Sequence, residues 1–203
     1  MKLKICGMKY PDNILEVSQL LPDYMGFIFW KKSSRFFDSE IPNLPKSIQK
    51  VGVFVNDTLE EIITKIKKYD LNLIQLHGNE SVAFCESLKD EKVKIIKVFS
   101  VNDDFDFSIL EPFETVCDYF LFDTKGKLPG GNGIVFDWKV LEKYPSTKPF
   151  FLSGGIGIDE IQSIQELLKT DLPIHAIDIN SKFEIEPGLK NIQLLKDFKI
   201  HIK

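Results

Sequence analysis

Short apolar, β-branched runs alternate along the chain with segments whose apolar residues recur at helical spacing. The apolar runs predict eight strands, at 2–5, 24–29, 50–55, 73–76, 94–99, 119–122, 150–152 and 176–179. Between them, Leu59, Ile62, Ile63 and Ile66 of TLEEIITKIKKY fall at i, i+3, i+4 and i+7, one face of a helix. Ile161, Ile164, Leu167 and Leu168 make a second such face, with Asp159 as its expected N-cap. Ile192, Leu195, Phe198 and Ile202 make a third. An earlier helix is expected to open at Pro11, a residue tolerated in a first turn, and to carry Ile14, Val17 and Leu21 inward. Pro42, Pro45 and Pro112 predict that the second and fifth helices are the weakest.

Eight strands spaced by about 25 residues have the rhythm of βα units joined by short loops. They predict an α/β fold, a closed parallel (β/α)8 TIM barrel, in one domain over residues 1–203. A doubly wound open sheet is the rival, weakened because no GxGxxG follows the first strand.

Composition narrows what such a barrel handles. With 43% hydrophobic and 28% charged residues, the 203-residue chain reads as a soluble protein with a real core. A net charge of -4, with lysines interleaved among acids, exerts no long-range pull on polyanions. Neither nucleic acid nor a membrane is therefore an expected partner. No apolar run approaches the roughly 18 residues that span a bilayer, and no signal-peptide pattern is expected at the start. Cys6, Cys85 and Cys117 lie far apart without a CxxC, which points to a reducing compartment, the cytoplasm by default, with no disulfide framework or structural zinc. Three scattered histidines make no metal site, and no cofactor motif is present.

A (β/α)8 barrel builds its site at the carboxyl ends of its strands, so the residues after each apolar run carry the chemistry. They are Cys6, the Ser33-Ser34-Arg35 cluster, Asn56, His77, Ser100, Asp123, Ser153 and Asn180. Together they would bring a thiol, a guanidinium, an imidazole and a carboxylate to one mouth. FLSGGI at 151–156 is the clearest anion signal, because Gly154 and Gly155 after Ser153 let backbone N–H groups approach a phosphate. Asp178, Asn180 and Ser181 after the eighth strand would complete the cradle; the bland reading is a flexible turn. Asp123 reads as a turn cap or as a general acid, since a carboxyl group partly withdrawn from water can donate a proton near neutrality. The glycine-rich loop that follows, around Gly130–Gly133, could close over a substrate. Cys6 reads as a small core residue or as a thiolate base or nucleophile favoured by an electropositive phosphate pocket. Cys85 and Cys117 read as core. His77 is either a substrate contact or a loop histidine held by a backbone bond, and His175 and His201 look incidental.

Eight blocks then stand in order: KICG at 4–7, GFIFWKKSSR at 26–35, VGVFVN at 51–56, IQLHGNE at 74–80, FDT at 122–124, GGNGIVFDW at 130–138, LSGGI at 152–156 and PGLKN at 187–191. This ordered set resembles the phosphoribosylanthranilate isomerases of tryptophan biosynthesis, which are (β/α)8 barrels. The resemblance implies an Amadori rearrangement of N-(5-phosphoribosyl)anthranilate to 1-(2-carboxyphenylamino)-1-deoxyribulose 5-phosphate, with no cofactor. It implies Cys6 as general base and Asp123 as general acid, with Arg35 facing the anthranilate part. Gly154 and Gly155 would hold the phosphate, with the strand-eight loop helping. His77, Ser153, Asp178, Asn180 and Ser181 complete the expected substrate-binding set. Many members read close to DVSSGVE where this chain reads DINSKFE at 178–184. Asp178 and Ser181 are kept, Asn180 and Lys182 are changed, and Lys182 either adds charge near the phosphate or points to solvent. The rival readings are a catalytically silent phosphate-binding barrel and another sugar-phosphate isomerase or epimerase. The expected partner is the small phosphosugar-anthranilate substrate, bound by a monomer or homodimer.

Overall fold

The computed structural model describes residues 1–124 and 138–202. Eight parallel strands close into a barrel in chain order: β1 (Lys2–Ile5), β2 (Tyr24–Ile28), β3 (Gln49–Phe54), β4 (Leu73–Leu76), β5 (Lys94–Val101), β6 (Tyr119–Thr124), β7 (Phe150–Leu152) and β8 (Ile174–Ile179). Each expected strand is present with small shifts at its ends. β1 closes the ring against β8, pairing Lys2 with Ala176 and Lys4 with Asp178.

Strand side chains alternate between the barrel axis and the surrounding helices. Tyr24, Val51, Leu73, Ile96, Tyr119, Leu121, Phe151 and Ala176 form the apolar plug inside the barrel. Their neighbours in sequence, including Met25, Ile74, Ile95, Phe120, Phe150 and Ile177, belong to the larger layer packed under the helices. Both faces being buried, these strands read as nearly continuous apolar runs, which is why the pattern alone located them.

The helices are α1 (Pro11–Ser18), α2 (Leu59–Tyr69), α3 (Val82–Ser87), α4 (Ile161–Leu167) and α5 (Ile192–His201). α2 starts with a capping box, the Thr58 hydroxyl accepting from the Glu61 amide while the Glu61 carboxylate accepts from the Thr58 amide. Asn191 caps α5 through its side-chain oxygen. Two expectations fail here. α4 is preceded by Glu160 in the cap position, not Asp159, and the Glu160 carboxylate accepts from the Gly157 amide at 2.6 Å. α1 stops at Ser18, so Leu21, at φ 49°, turns out to solvent instead of inward. The proline-marked intervals behave as expected. Residues 29–48 form no helix, and a 3-10 helix, Phe107–Phe113, contains Pro112.

Two features were not legible in the pattern. A short hairpin, β9 (Glu184–Glu186) and β10 (Leu189–Lys190), follows β8, turning through Gly188 at φ 92°. The β7–β8 register also slips, Phe150 facing Ile174 and Phe151 facing Ala176, which leaves His175 as the extra residue of a bulge. The bulge brings its ring against Tyr119 and Phe151, with Nε2 2.7 Å from the Tyr24 hydroxyl. His175 stays away from the pocket and is packed at the start of the barrel. Burial, helped by Lys2 and Lys94, holds its pKa down to about 4, against 6.5 ordinarily.

This imidazole is neutral in the folded state while that of an unfolded chain charges near 6.5. As pH falls the unfolded state takes the proton first, so stability is expected to drop between pH 6.5 and about 4. For a partly exposed ring the loss should be about 1 kcal/mol. Urea midpoints for His175→Phe should flatten over that interval; an identical acid limb in both proteins would contradict the assignment.

Candidate active site

Cys6 follows the last residue of β1 and still donates its amide to Ile179 of β8, 2.9 Å away. Two glycines make room around it. A Cβ at Gly26 in β2 would lie 2.7 Å from the Cys6 sulfur, so the thiol packs over bare backbone. Gly7, at φ 73°, turns the chain outward, and a Cβ there would meet Asn180 Oδ1 at 2.6 Å and the Arg35 stem at 2.8 Å. The turn after β1 therefore packs directly against residues from two other loops.

All ten expected site residues line one pocket at the carboxyl ends of the strands: Cys6, Arg35, His77, Asp123, Ser153, Gly154, Gly155, Asp178, Asn180 and Ser181. Asn56 and Ser100, also at strand ends, stay outside. Asn56 is exposed and braces a loop by accepting from the Asn79 amide, and Ser100 is an exposed residue of β5 itself. Trp30 and Gln75 line the pocket without having been expected.

One wall is built from β4 and β6. Asp123 is 5% exposed, its Oδ1 accepts from the Thr124 amide, and its Oδ2 lies 3.4 Å from His77 Nε2. The Gln75 side-chain amide donates to His77 Nδ1 at 3.1 Å, which leaves the imidazole proton on Nε2, facing Asp123. The His77 amide also donates to the Phe54 carbonyl, as a loop histidine held by a backbone bond would, while its side chain lines the pocket. The loop after it is pinned from behind by Lys97, which donates to the Gly78 carbonyl and to Glu80 at 2.7 and 2.9 Å.

The opposite wall carries buried charge. Lys4, fully buried, donates to Asp178 Oδ2 at 2.7 Å, while Asp178 Oδ1 is buried with no partner among the described residues. Burial works against the Lys4 charge, but Asp178 and Cys6 outweigh it and hold its pKa above the ordinary lysine value. Burial pushes the Cys6 thiol up, and the pull of Lys4 and Lys190 does not offset it. The expected favouring of a thiolate by the pocket is therefore not found: withdrawal from water outweighs the neighbouring cations. Arg35 is forked on Glu184, Nε at 2.9 and 3.0 Å and Nη2 at 2.7 Å. Glu184 also accepts from Lys190 at 2.7 Å.

Gly154 and Gly155 have φ of 94° and 65°, conformations that favour glycine, and a Cβ at Gly154 would come within 2.6 Å of the Thr124 amide nitrogen. Among the described residues nothing accepts from the amides of Gly154, Gly155 or Ser181, which leaves them for an anion. Lys182 is exposed, its stem beside Gly157, and does not line the pocket. The Gly130–Gly133 loop lies outside the described residues.

A family model described as N-(5'phosphoribosyl)anthranilate (PRA) isomerase matches residues 3–200. The chain belongs to the PRA isomerase family. It is 42% identical to the N-(5'-phosphoribosyl)anthranilate isomerase of Parabacteroides distasonis over 98% of this chain and 91% of that protein. With the one from Phocaeicola vulgatus it shares 38% over 100% and 98%. The fold matches phosphoribosyl anthranilate isomerase from Thermotoga maritima with a TM-score of 0.83 and 27% identity, covering 99% and 98% of the two chains. It also matches a phosphoribosyl anthranilate isomerase solved in complex with reduced 1-(o-carboxyphenylamino)-1-deoxyribulose 5-phosphate, with a TM-score of 0.80, 27% identity and coverage of 98% and 96%.

Sequence reading missed the polar residues that surround the PRA isomerase pocket. Lys4 and Gln75 interrupt apolar strands at positions whose alternation sends them to the barrel axis, a signal that could have found them. Glu184 and Lys190 sit within quoted blocks, but only the hairpin brings them back to the mouth.

With its pKa raised, Cys6 should react with iodoacetamide about tenfold faster for each pH unit from about 7 to 9, read by mass spectrometry. Lys4→Met should slow the reaction at every pH in that range. A flat profile in the unmodified protein would show the thiol already ionised.

Proposed function

We propose that the chain isomerises N-(5'-phosphoribosyl)anthranilate to 1-(2-carboxyphenylamino)-1-deoxyribulose 5-phosphate in L-tryptophan biosynthesis, and that the pocket above β1, β6 and β8 does the chemistry. The observation that carries this reading is one pocket lined by a thiol, a carboxyl group, a guanidinium and a glycine cradle, in a member of the PRA isomerase family. Each part meets a need of the reaction.

Asp123 delivers a proton to the ribose ring oxygen, and the C1–O bond breaks to give the open-chain Schiff base. Conjugation with the anthranilate nitrogen acidifies the sugar's C2 proton. Cys6, as thiolate, removes that proton to give the enolamine, which tautomerises to the ketone, so no net proton is gained or lost. A thiol raised by burial is the stronger base once ionised, at the cost of a small ionised fraction. His77 Nε2 stands beside the Asp123 carboxyl group, 3.4 Å from Oδ2. Asp178 Oδ1, buried and unpartnered, accepts from a sugar hydroxyl. Arg35 spends Nε and Nη2 on Glu184 and turns Nη1 to the anthranilate carboxylate. Ser153, Gly154 and Gly155 hold the phosphate together with Asn180 and Ser181.

A Thermotoga maritima relative is described as dimeric, with monomers generated from it. We take the present chain to act in the cytoplasm as a monomer or homodimer, without a cofactor.

The deciding experiment is rescue of a tryptophan auxotroph that lacks this isomerase, with Cys6→Ala as the control; no growth with the unmodified gene would end the proposal. In purified enzyme Cys6→Ala and Asp123→Asn should each lower kcat by about a hundredfold to ten-thousandfold. Neither should weaken binding of inorganic phosphate, and kcat retained within about tenfold would remove the residue from its role. Since the Cys6 thiolate grows with pH, kcat should rise from neutrality until the thiol is ionised.

A further inference from the structure

One fully bonded ammonium group near the mouth belongs to a residue that does not line the pocket. Lys190, in β10, is 1% exposed. Both of its backbone groups are locked to the buried Asn13 of α1, the amide donating to Oδ1 at 2.7 Å and the carbonyl accepting from Nδ2 at 3.0 Å. All three protons of its ammonium group have acceptors: Asn180 Oδ1 at 2.7 Å, Glu184 Oε1 at 2.7 Å and the Asn180 carbonyl at 3.3 Å. Glu184 in turn forks Arg35. A buried cation is costly unless it is fully paired, and this one is spent on the two residues that frame the pocket on that side.

We propose that Lys190 is a positioning residue that fixes Arg35 and Asn180 together and keeps Arg35 attractive to the substrate's carboxylate. The proposal rests on the isomerase reading above. A lone Arg35–Glu184 pair would be neutral, with the guanidinium charge already answered. With Lys190 added, two cations share one carboxylate and the cluster carries a net charge of about +1 into a water-poor mouth, where an incoming carboxylate feels it strongly. Geometry supports the same role. The ammonium group fixes the Glu184 carboxylate, the carboxylate fixes the guanidinium plane, and Gly7 leaves room for Arg35 and Asn180 to pack over the turn that carries Cys6. One buried side chain so sets the register between the carboxylate-reading arginine and the phosphate-side loop. Burial lowers the Lys190 pKa to about 8, with Glu184 and Cys6 opposing the shift and Arg35 adding to it, so the charge is lost in an accessible range.

The test is calorimetric binding of the reduced product, reduced 1-(o-carboxyphenylamino)-1-deoxyribulose 5-phosphate, from about pH 6.5 to 9.5, alongside steady-state kinetics. In the unmodified enzyme affinity should fall above about pH 8 as Lys190 loses its proton. Lys190→Met should bind at least about tenfold more weakly at neutral pH and lose that alkaline decline, with KM raised about tenfold and kcat changed less than about threefold. Lys190→Arg, which keeps the charge, should restore most of the affinity. In an Arg35→Ala background Lys190→Met should cost far less, because the two residues act as a unit. Equal losses in both backgrounds, or a change in kcat alone, would overturn the proposal. Should Lys190→Met fail to fold, the unmodified enzyme still decides: flat affinity across pH 8 sinks the idea. If the unmodified enzyme neither binds the reduced product nor turns over substrate, the isomerase reading fails instead.

Discussion

The barrel is closed by the pairing of β1 with β8, and at the rung where Lys4 faces Asp178 that pairing becomes an ion pair 2.7 Å long in the barrel interior. Buried charges are tolerable only when answered, so this rung ties the two ends of the chain together in one register. A slip of one residue would turn Lys4 into the apolar layer under the helices and Cys6 away from the mouth. The same rung therefore places the thiol and the strand-eight carboxylate on one surface.

Below this level the barrel interior is an apolar plug, and above it polar and charged side chains share the pocket with Ile28, Val53 and Val55. The polar layer is held by three arrangements reaching in from different directions: Lys4 with Asp178, Gln75 with His77 and Asp123, and Lys190 with Glu184 and Arg35. In two of them a group that faces the pocket is fixed by one that does not line it: Lys4 holds Asp178, and Glu184 with Lys190 holds Arg35. Withdrawal from water has a second effect, since it keeps Cys6 protonated at rest despite the lysines nearby. Burial and charge act in opposition at this thiol, and burial is the larger.

The strands and the ten pocket residues were legible because each is encoded locally. A parallel strand buried on both faces shows as a continuous apolar run, and the residue after it must point to the mouth. Asn56 and Ser100 obey the same rule yet stay outside, because the strands end at different heights and β5 extends through Ser100. Leu21 and Asp159 fail where a helix boundary depends on a single turn: α1 ends early, and the Glu160 carboxylate reaches the Gly157 amide. Nothing in a one-dimensional pattern distinguishes those outcomes.

The sequence by itself determined the eight-strand rhythm, the order of the mouth residues and the family, because alternation and strand-end chemistry are properties of neighbouring residues. Only the tertiary structure decided which charges answer one another. Lys190 meets Asn180 because a hairpin folds back through Gly188, and Lys4 meets Asp178 because the barrel closes across 174 residues of chain. The state of the Cys6 thiol belongs to the same class. Its proton is held by the sum of burial and charge from three segments of the chain, and that sum exists only once they are packed together.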